Sequence, residues 1–422
     1  MAAFEANDFF ATIAEPHQGS LAYLPRHYPQ VIKYMGSKAA ILPFISTELS
    51  KVHAEGRPIV DLFAGACAIS GGFGHLSKII SNDIQEYSAV IASIYLKRAN
   101  KIGNFDLVGL ATPIVEANLS LLPLHVQYPV KSASLDEFNE IEEHNRALLN
   151  ANFVHSHHLF TRAYSGTWWS AHQCVWIDAI RQVLDSLLAR CEIEEADFNF
   201  GLTCLMHAMA YTSQGTGHYA QYRDAKTERG MADINKYRNA SVPMIFKKKF
   251  DSLLTWHLQN VSDAVEHELR AEDYRDCLGS LAEPSVVYAD PPYAFVHYSR
   301  FYHAMETVVK YDYPELQHLR SEVVKGRYRS ERHQSPFCIR TQVKGAFLDL
   351  FDGVKSSGSD LLLSYSNTGM IDIEDLMSLA ALTFGQSYEV WFDHMSHTHM
   401  TMGRREDRSR QVRESLIIAK KK

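Results

Sequence analysis

The chain has 422 residues, of which 46% are hydrophobic and 22% are charged, so it can bury the core of a globular protein with two or three domains. Its formal net charge of -7 argues against a protein that coats nucleic acid nonspecifically, although a local basic cleft remains compatible with it. Residues 1–10 lack a basic and a long apolar segment, and no later segment approaches about 18 uninterrupted apolar residues. We therefore expect neither secretion nor membrane insertion.

The cysteines and histidines favour an intracellular protein without a metal. The six cysteines are scattered and form no Cys-x-x-Cys pair, which fits a reducing cytoplasm and does not predict a zinc site. His394, His397 and His399 alternate, but no cysteine or close set of carboxylates completes a site around them. We predict a cytoplasmic protein with no metal.

The first regular elements predicted along the chain form a βαβ unit. Residues 58–63 are typical of a short buried strand, which ends in the small residues 64–68. A second apolar run at 78–81 leads into Asn82 and Asp83, and apolar residues at helical spacing follow to Tyr95. This order predicts the start of a doubly wound, Rossmann-like α/β sheet.

The rest of the chain divides into a helical middle and a strand-containing end. From residue 104 to about 210 apolar residues recur at helical spacing, and a glycine-rich polar stretch at 213–239 breaks this pattern. Strands resume at 285–289, 360–364 and 415–419. We therefore predict one α/β domain built from residues 1–103 and 271–422, with residues 104–270 as a large, mainly helical insertion.

The strongest chemical signal is Asp290-Pro291-Pro292-Tyr293, directly after the strand predicted at 285–289. A plain proline turn would also suit a strand end, because tandem proline cannot continue a ladder. The motif would also suit chemistry on an exocyclic amine such as that of adenine. This amine is a poor nucleophile, since its lone pair is delocalised into the ring. The Asp290 carboxylate and the Pro291 carbonyl could accept its two hydrogens and favour a tetrahedral nitrogen. Rigid prolines would keep both acceptors aimed, and Tyr293 would stack on a base swung out of the helix.

With this motif the sequence resembles the Dam-like family of adenine-N6 DNA methyltransferases, which use S-adenosylmethionine. The resemblance implies a Rossmann-like methyltransferase sheet with a target-recognition insertion. It also implies that Asp290, Pro291, Pro292 and Tyr293 are catalytic, that double-stranded DNA is the substrate, and that a cognate restriction enzyme is a candidate partner.

Other segments extend the resemblance to the cofactor site. Residues 33–38 resemble the family's Lys-aromatic-x-Gly-x-Lys motif, and residues 61–65 are similar to its acidic-x-Phe-x-Gly loop, where small residues let the backbone approach the cofactor. Families of this type usually have glycine where Cys67 stands. The resemblance implies the cofactor-binding residues Tyr34, Gly36, Lys38, Asp61, Phe63, Ala64, Gly65, Asp83, Asp273, Tyr274 and Asp290.

Two of these assignments have specific roles. Asp83 resembles the acidic residue that accepts hydrogen bonds from both ribose hydroxyls, a task suited to a carboxylate because it offers only acceptors. Asp273 and Tyr274 look like the pair that flanks the cofactor's adenine. Asp276 is a competing candidate for the acidic member of that pair.

The insertion contains the expected DNA-recognition residues. Residues 215–223 combine flexible, aromatic and hydrogen-bonding side chains, as a groove-reading loop would, although a plain surface loop is an equal alternative. The substrate-binding candidates are Lys33, His218, Tyr219, Gln221, Tyr222, Arg223 and Tyr298. Three basic runs beyond residue 220 favour a surface that follows phosphates, although each run by itself is equally compatible with a solvated face. They are Arg223, Lys226, Arg229, Lys236, Arg238, Lys247, Lys248 and Lys249; Lys325, Arg327, Arg329 and Arg332; and Arg404, Arg405, Arg408, Arg410 and Arg413.

Two other functions remain open from the sequence. An RNA adenine methyltransferase would use the same acceptor geometry. A catalytically silent nucleic-acid-binding protein could retain the methyltransferase shell, because a fold alone does not establish activity. The intact Asp-Pro-Pro-Tyr motif argues against the silent protein.

Overall fold

The computed structural model of the protein describes residues 23–128, 134–215, 218–292, 298–366, 369–400 and 409–422. Its strands are β1 Ile59–Asp61, β2 Ile79–Asn82, β3 Glu268–Arg270, β4 Val286–Ala289, β5 His318–Leu319, β6 Glu322–Val323, β7 Asp360–Ser366, β8 Tyr388–Met400 and β9 Ser409–Lys421.

The helices bear the following labels. They are α1 Leu42–Val52, α2 Ala68–Phe73, α3 Glu86–Leu96, α4 Leu107–Ser120, α5 Leu135–Ala147, α6 Leu159–Ala163, α7 Ala171–Ala189, α8 Glu195–Thr212, α9 Glu228–Arg238, α10 Val242–Asn260, α11 Tyr274–Gly279, α12 Tyr298–Phe301, α13 His303–Lys310, α14 Val343–Ser356 and α15 Ile373–Phe384. Among the described residues, none of the helices is long and apolar enough to cross a membrane.

The described residues fall into two compact units. Unit 1 comprises the described parts of 1–84, 262–296 and 335–422, and unit 2 those of 85–261 and 297–334. The second segment of unit 2 lies within the C-terminal part of the α/β domain expected from the sequence. The division at residues 103 and 270 stays a prediction.

Unit 1 is built on a seven-stranded sheet in the order β3-β2-β1-β4-β7-β9-β8. The first five strands of this order are parallel, and β9 is antiparallel to both of its neighbours. Strands β1, β2 and β4 are buried along their whole length, as expected for parallel strands covered on both faces. The predicted Rossmann-like α/β fold is confirmed.

Helices α11, α14 and α15 contribute to a hydrophobic core of unit 1. This core includes Cys277 of α11, Leu350 of α14 and Phe384 of α15, which are fully buried with Val287 of β4 and Leu361 of β7. This packing fixes the strands whose carboxyl ends carry the candidate site.

Two strands of this sheet have no counterpart in the sequence prediction. Strand β3 is only three residues long and half-buried, with charged residues at both ends, so it lacks an apolar pattern. Strand β8 begins with alternating Tyr388, Val390 and Phe392 but continues through polar residues and histidines. Pairing with β9 along its length forms this strand.

Unit 2 is mainly helical, as predicted for the insertion. Trp168 and Trp169 are fully buried and pack inside this unit. Helix α9 lies inside the stretch where the sequence predicted no helix. Thr227 caps it by accepting a hydrogen bond from the Gly230 amide, and Ile234 packs against Phe138, so capping and packing outweigh the polar composition.

Candidate active site

Three carboxylates follow neighbouring strands at one edge of the sheet. Asp61 is the last residue of β1, Asp83 follows β2, and Asp290 follows β4. Asp61 is 2% exposed, and its Oδ2 has no hydrogen-bond partner among the described residues. Burial, with the neighbouring Asp290 and Asp83 carboxylates, raises the pKa of Asp61 well above its ordinary value. A buried acceptor beside other carboxylates suits a cationic ligand.

The loop after β1 approaches the end of β2 through its backbone. The Gly65 amide donates to Asp83 Oδ2 over 3.0 Å, and the Ala64 amide donates to the Asn82 carbonyl over 2.8 Å. Gly65 has φ +50, and a Cβ there would lie 2.9 Å from the Tyr34 hydroxyl oxygen. The position thus requires glycine for both its conformation and its close contact.

Cys67 also adopts a left-handed conformation, with φ +60 and ψ 42, and it is fully buried. A non-glycine residue in this region costs about 1–2 kcal/mol. The structure therefore gives a physical reason why glycine is usual here in the resembling families, and it shows that the cysteine is accommodated without breaking the turn into α2.

Residues 33–38, the N-terminal motif, lie beside the carboxyl ends of these strands. Lys33 is exposed, Tyr34 lies over Gly65, and Gly36 has φ +81. Lys38 is 8% exposed, and its ammonium lies beside the Asp290 carboxylate in the loop after β4. Within unit 1, Tyr34 thus meets the cofactor loop while Lys38 meets the loop after β4.

An aromatic wall stands beside the cofactor loop. The Phe63 ring centroid lies 5.7 Å from that of Tyr274 and 5.5 Å from that of Phe337. Tyr274 is 5% exposed, and its hydroxyl donates to the Ala346 carbonyl over 3.3 Å. Phe63 and Tyr274, which the resemblance assigns to the cofactor, are thus in contact.

Asp273 already has partners inside the protein. Its Oδ1 accepts from the Arg275 amide at the start of α11, at 3.0 Å, and from Arg275 Nε at 2.9 Å. The competing candidate, Asp276, is exposed on the same helix. The first-turn hydrogen bond gives Asp273 a capping role that is independent of any ligand.

The catalytic candidates continue directly from β4. Pro291 is buried, and the Pro292 carbonyl accepts from Cys338 Sγ over 3.5 Å. Tyr293 lies outside the described residues. The side chain of Asp290 is 17% exposed. Asp290 and the prolines therefore follow β4 directly, with the Pro292 carbonyl held by its contact with Cys338.

Lys38 joins Asp290 to a residue that the sequence did not identify as part of the site. This residue is Glu414: Lys38 Nζ lies 3.2 Å from Asp290 Oδ1 and 2.5 Å from Glu414 Oε1. Glu414 Oε1 also accepts a hydrogen bond from Ser364 Oγ over 2.9 Å. Glu414 is 3% exposed in β9. Burial raises the pKa of Asp290 to about 7, with Lys38 opposing and Glu414 reinforcing the rise. The only sequence feature that could have indicated Glu414 is its position directly before the strand predicted at 415–419.

Two DNA-binding candidates in unit 2 are buried. Tyr219 is 1% exposed, and its ring centroid lies 5.4 Å from that of Trp169. His218 is 7% exposed and lies 4.5 Å from the Phe301 ring by centroid distance. These contacts give both side chains a packing role in this structure.

The other candidates of unit 2 are more accessible. Gln221 is exposed, whereas Tyr222 and Tyr298 are partly buried. The Tyr222 hydroxyl accepts from Arg146 Nη1 over 2.7 Å and donates to Asp224 over 3.0 Å. Gln221 is therefore the best placed of the six candidates between residues 218 and 298 for contact with a nucleic acid.

Several basic residues of the runs pair inside unit 2. Arg223 Nη2 lies 3.0 Å from Asp233 Oδ2. Arg238 is 3% exposed and makes a bidentate pair with Glu142, at 2.8 and 3.0 Å. Such cations stabilise the unit and have little freedom to neutralise DNA phosphates.

The second and third runs differ in what the structure describes. Arg329 pairs with Asp312, and Arg327 is 5% exposed. Arg404, Arg405 and Arg408 lie outside the described residues, as do the side chains of Arg410 and Arg413.

A mainly parallel sheet with Asp61, Asp83 and Asp290 at one edge defines a Rossmann-like methyltransferase domain. The chain belongs to the D12 class N6 adenine-specific DNA methyltransferase family, whose model matches residues 34–157 and 218–357. The family resemblance seen in the motifs is thereby confirmed.

Curated relatives agree with this family. The chain is 24% identical to Modification methylase LlaI of Lactococcus lactis subsp. lactis, over 83% of the chain and 48% of the relative. It is 23% identical to Modification methylase StsI of Streptococcus sanguinis and to Type II methyltransferase M.FokI of Planomicrobium okeanokoites, over 82% of the chain and 46% of each relative. The chain therefore spans about half the length of these relatives.

Proposed function

We propose that the chain transfers a methyl group from S-adenosylmethionine to the exocyclic N6 of adenine in double-stranded DNA. The observation that carries this proposal is the position of Asp290 and Pro291, at the end of β4 beside the buried Asp61. Family membership and the relatives' names, which include modification methylases, support the same reaction. A restriction enzyme of the same specificity is the partner we propose on that basis.

The residues at the sheet edge fit the proposed cofactor. Bound S-adenosylmethionine supplies a methyl group on a positively charged sulfonium. Asp61 offers a buried acceptor for a cationic group, Asp83 offers acceptors for hydroxyls, and the Phe63–Tyr274 wall offers an apolar surface for a planar base. Gly65 leaves the backbone accessible, although Tyr34 restricts the space above it.

The proposed catalytic step depends on two acceptors. The Asp290 carboxylate and the Pro291 carbonyl bind the two hydrogens of the flipped adenine's amine, which directs the nitrogen lone pair away from the ring. When the nitrogen gains a methyl group it must lose one proton. Asp290, with a pKa near 7, can accept that proton and release it to solvent.

Methyl transfer from tritium-labelled cofactor tests this function directly. Mixed-sequence duplex DNA, RNA and peptide are offered separately, with Asp290→Ala protein as the background. We expect label in the duplex DNA alone. Preferential labelling of RNA would favour the RNA enzyme, and DNA binding without any transfer would favour the silent protein; either result contradicts the proposal.

Asp83→Ala should weaken S-adenosylmethionine binding by about 1.5–3 kcal/mol, the range for a charge-assisted hydrogen bond. The substitution also removes the acceptor that holds the Gly65 amide. Calorimetry on the folded variant measures the effect, and Asp352→Ala, which removes an exposed carboxylate from α14, is the matched control. Equal affinity in the Asp83 variant and the wild type would remove Asp83 from the cofactor site.

Replacing Lys226 and Arg229 with alanine should reduce the salt dependence of DNA binding by up to about two units of slope. Both are exposed, whereas Arg223 of the same run is held by Asp233. Fluorescence anisotropy across a salt series measures the slope. A double variant of Lys101 and Arg190, which already pair with glutamates, should keep the wild-type slope. Identical slopes for both double variants would mean that Lys226 and Arg229 do not contact phosphate.

A further inference from the structure

A buried chain of charged and polar groups extends from the loop after β4 to strand β9. It consists of Asp290, Lys38, Glu414 and Ser364, which come from four separate segments of unit 1. The side chains of Lys38 and Glu414 are 9% and 5% exposed. A single ammonium therefore serves two carboxylates in a place where water screens little of their interaction.

The Lys38 ammonium lies closer to the Glu414 carboxylate than to the Asp290 carboxylate. Lys38 Nζ is 2.5 Å from Glu414 Oε1 and 3.2 Å from Asp290 Oδ1. Glu414 is further held by the Ser364 hydroxyl. Because Lys38 is bound more tightly to Glu414, its position is set from the β9 side, and Asp290 receives the weaker contact.

We propose that Glu414 is a positioning residue for the methyl-transfer reaction, which holds Lys38 in place and so controls the charge and orientation of the Asp290 carboxylate. This inference rests on the proposed function. Without Glu414, the Lys38 ammonium would be free to pair fully with Asp290. The carboxylate would then stay ionised at lower pH but would be drawn away from the amine.

Among the described residues, four charged or titratable groups interact with Asp290. Lys38 favours the ionised carboxylate, and Glu414 disfavours it. Burial and the nearby Asp290 raise the pKa of Asp61 from β1 and of Tyr288 from β4. An ionised Asp61 would oppose the charge on Asp290, whereas the Tyr288 phenol stays neutral. Glu414 is the member of this set that contacts Lys38 directly.

Glu414→Gln removes the charge while keeping the size and hydrogen-bonding capacity of the side chain. In a pH profile of the single-turnover rate, the acidic limb should move to lower pH by about one to two pH units, because one negative charge near Asp290 is lost. The plateau rate should fall as Lys38 pulls on Asp290. Affinity for S-adenosylmethionine should change far less than the rate.

Asp360→Asn is the matched control. Asp360 is a buried carboxylate at the opposite end of β7, paired with Arg57 at 2.5 Å. Its loss removes the same charge from the same sheet at the amino end of the strand. A purely structural effect would appear in both variants, whereas the shift of the acidic limb should appear only in Glu414→Gln.

The titration of Asp290 itself provides a readout that needs no activity. Protein labelled with ¹³C at the aspartate carboxyl carbon is titrated, and the Asp290 signal is assigned by its loss in Asp290→Asn. We expect a lower midpoint in Glu414→Gln and an unchanged midpoint in Asp360→Asn. If Glu414→Gln does not fold, Glu414→Asp lengthens the contact with Lys38 and should shift the midpoint in the same direction by a smaller amount.

The outcomes separate this inference from the proposed function. An unchanged Asp290 midpoint in a folded Glu414 variant overturns the role of Glu414, even if the wild type methylates DNA. A wild type that transfers no methyl group at any pH overturns the proposed function, and the role of Glu414 in that reaction with it. If Glu414→Gln lowers both the midpoint of the Asp290 titration and the pH of the acidic limb, the result supports the role of Glu414 and the proposed function.

Discussion

Asp290→Ala should reduce single-turnover methylation on the order of 10²–10³-fold while S-adenosylmethionine still binds. The substitution removes one of the two acceptors that we propose for the adenine amine. Pro291 and Pro292 should keep the loop in place, since the Pro292 contact with Cys338 does not involve Asp290. DNA affinity should change little or rise, because a carboxylate is lost near a polyanion.

The comparison requires rate, cofactor affinity and DNA affinity from the same folded preparation. Asp290→Asn is the informative companion, because it keeps an acceptor oxygen but loses the charge, and it should retain more activity than alanine. Methylation near the wild-type rate in Asp290→Ala would show that the mechanism is wrong. Collapse of all three quantities would instead identify Asp290 as structural and move the test to Tyr293.

Arg238→Ala should destabilise the protein by about 3–5 kcal/mol, the range for breaking a buried ion pair by removing one partner. Glu142 would keep a buried charge, with the Arg146 guanidinium and the Tyr128 hydroxyl still near it. The Trp168 and Thr167 carbonyls would also lose the guanidinium.

Denaturant unfolding measures this cost. The double variant Glu142→Leu with Arg238→Met removes both charges, so it should be considerably more stable than Arg238→Ala alone. If Arg238→Ala kept wild-type stability and bound DNA more weakly, Arg238 would return to the phosphate-contacting residues.

The sheet and the catalytic edge could be predicted because their signals are local. Residues 58–63 are a short, mostly apolar run followed by small residues. Residues 285–289 are a second such run, followed by Asp290 and two prolines, and tandem proline cannot continue a ladder. The turn after β1 needs a left-handed backbone at Gly65, and the small residues at 64–68 indicate such a turn. The order of these motifs was therefore sufficient for the fold class and the family.

The missed features depend on contacts between distant parts of the chain. Glu414 lies 376 positions from Lys38, so no local pattern links them. Helix α9 needs the packing of Ile234 on Phe138 to outweigh its polar composition. The burial of Tyr219 and Arg238 is equally a tertiary effect, because nothing in a basic or aromatic run shows which members face inward.

The most direct test of the account is long-read modification sequencing of DNA from a host that lacks adenine methylation and expresses this chain. The account predicts N6-methyladenine at one recurrent sequence, present with the wild type and absent with Asp290→Ala. This measurement also gives the bases flanking the modified adenine. Methylation of another base, or unmodified DNA from cells that contain the folded protein and its cofactor, would contradict the account.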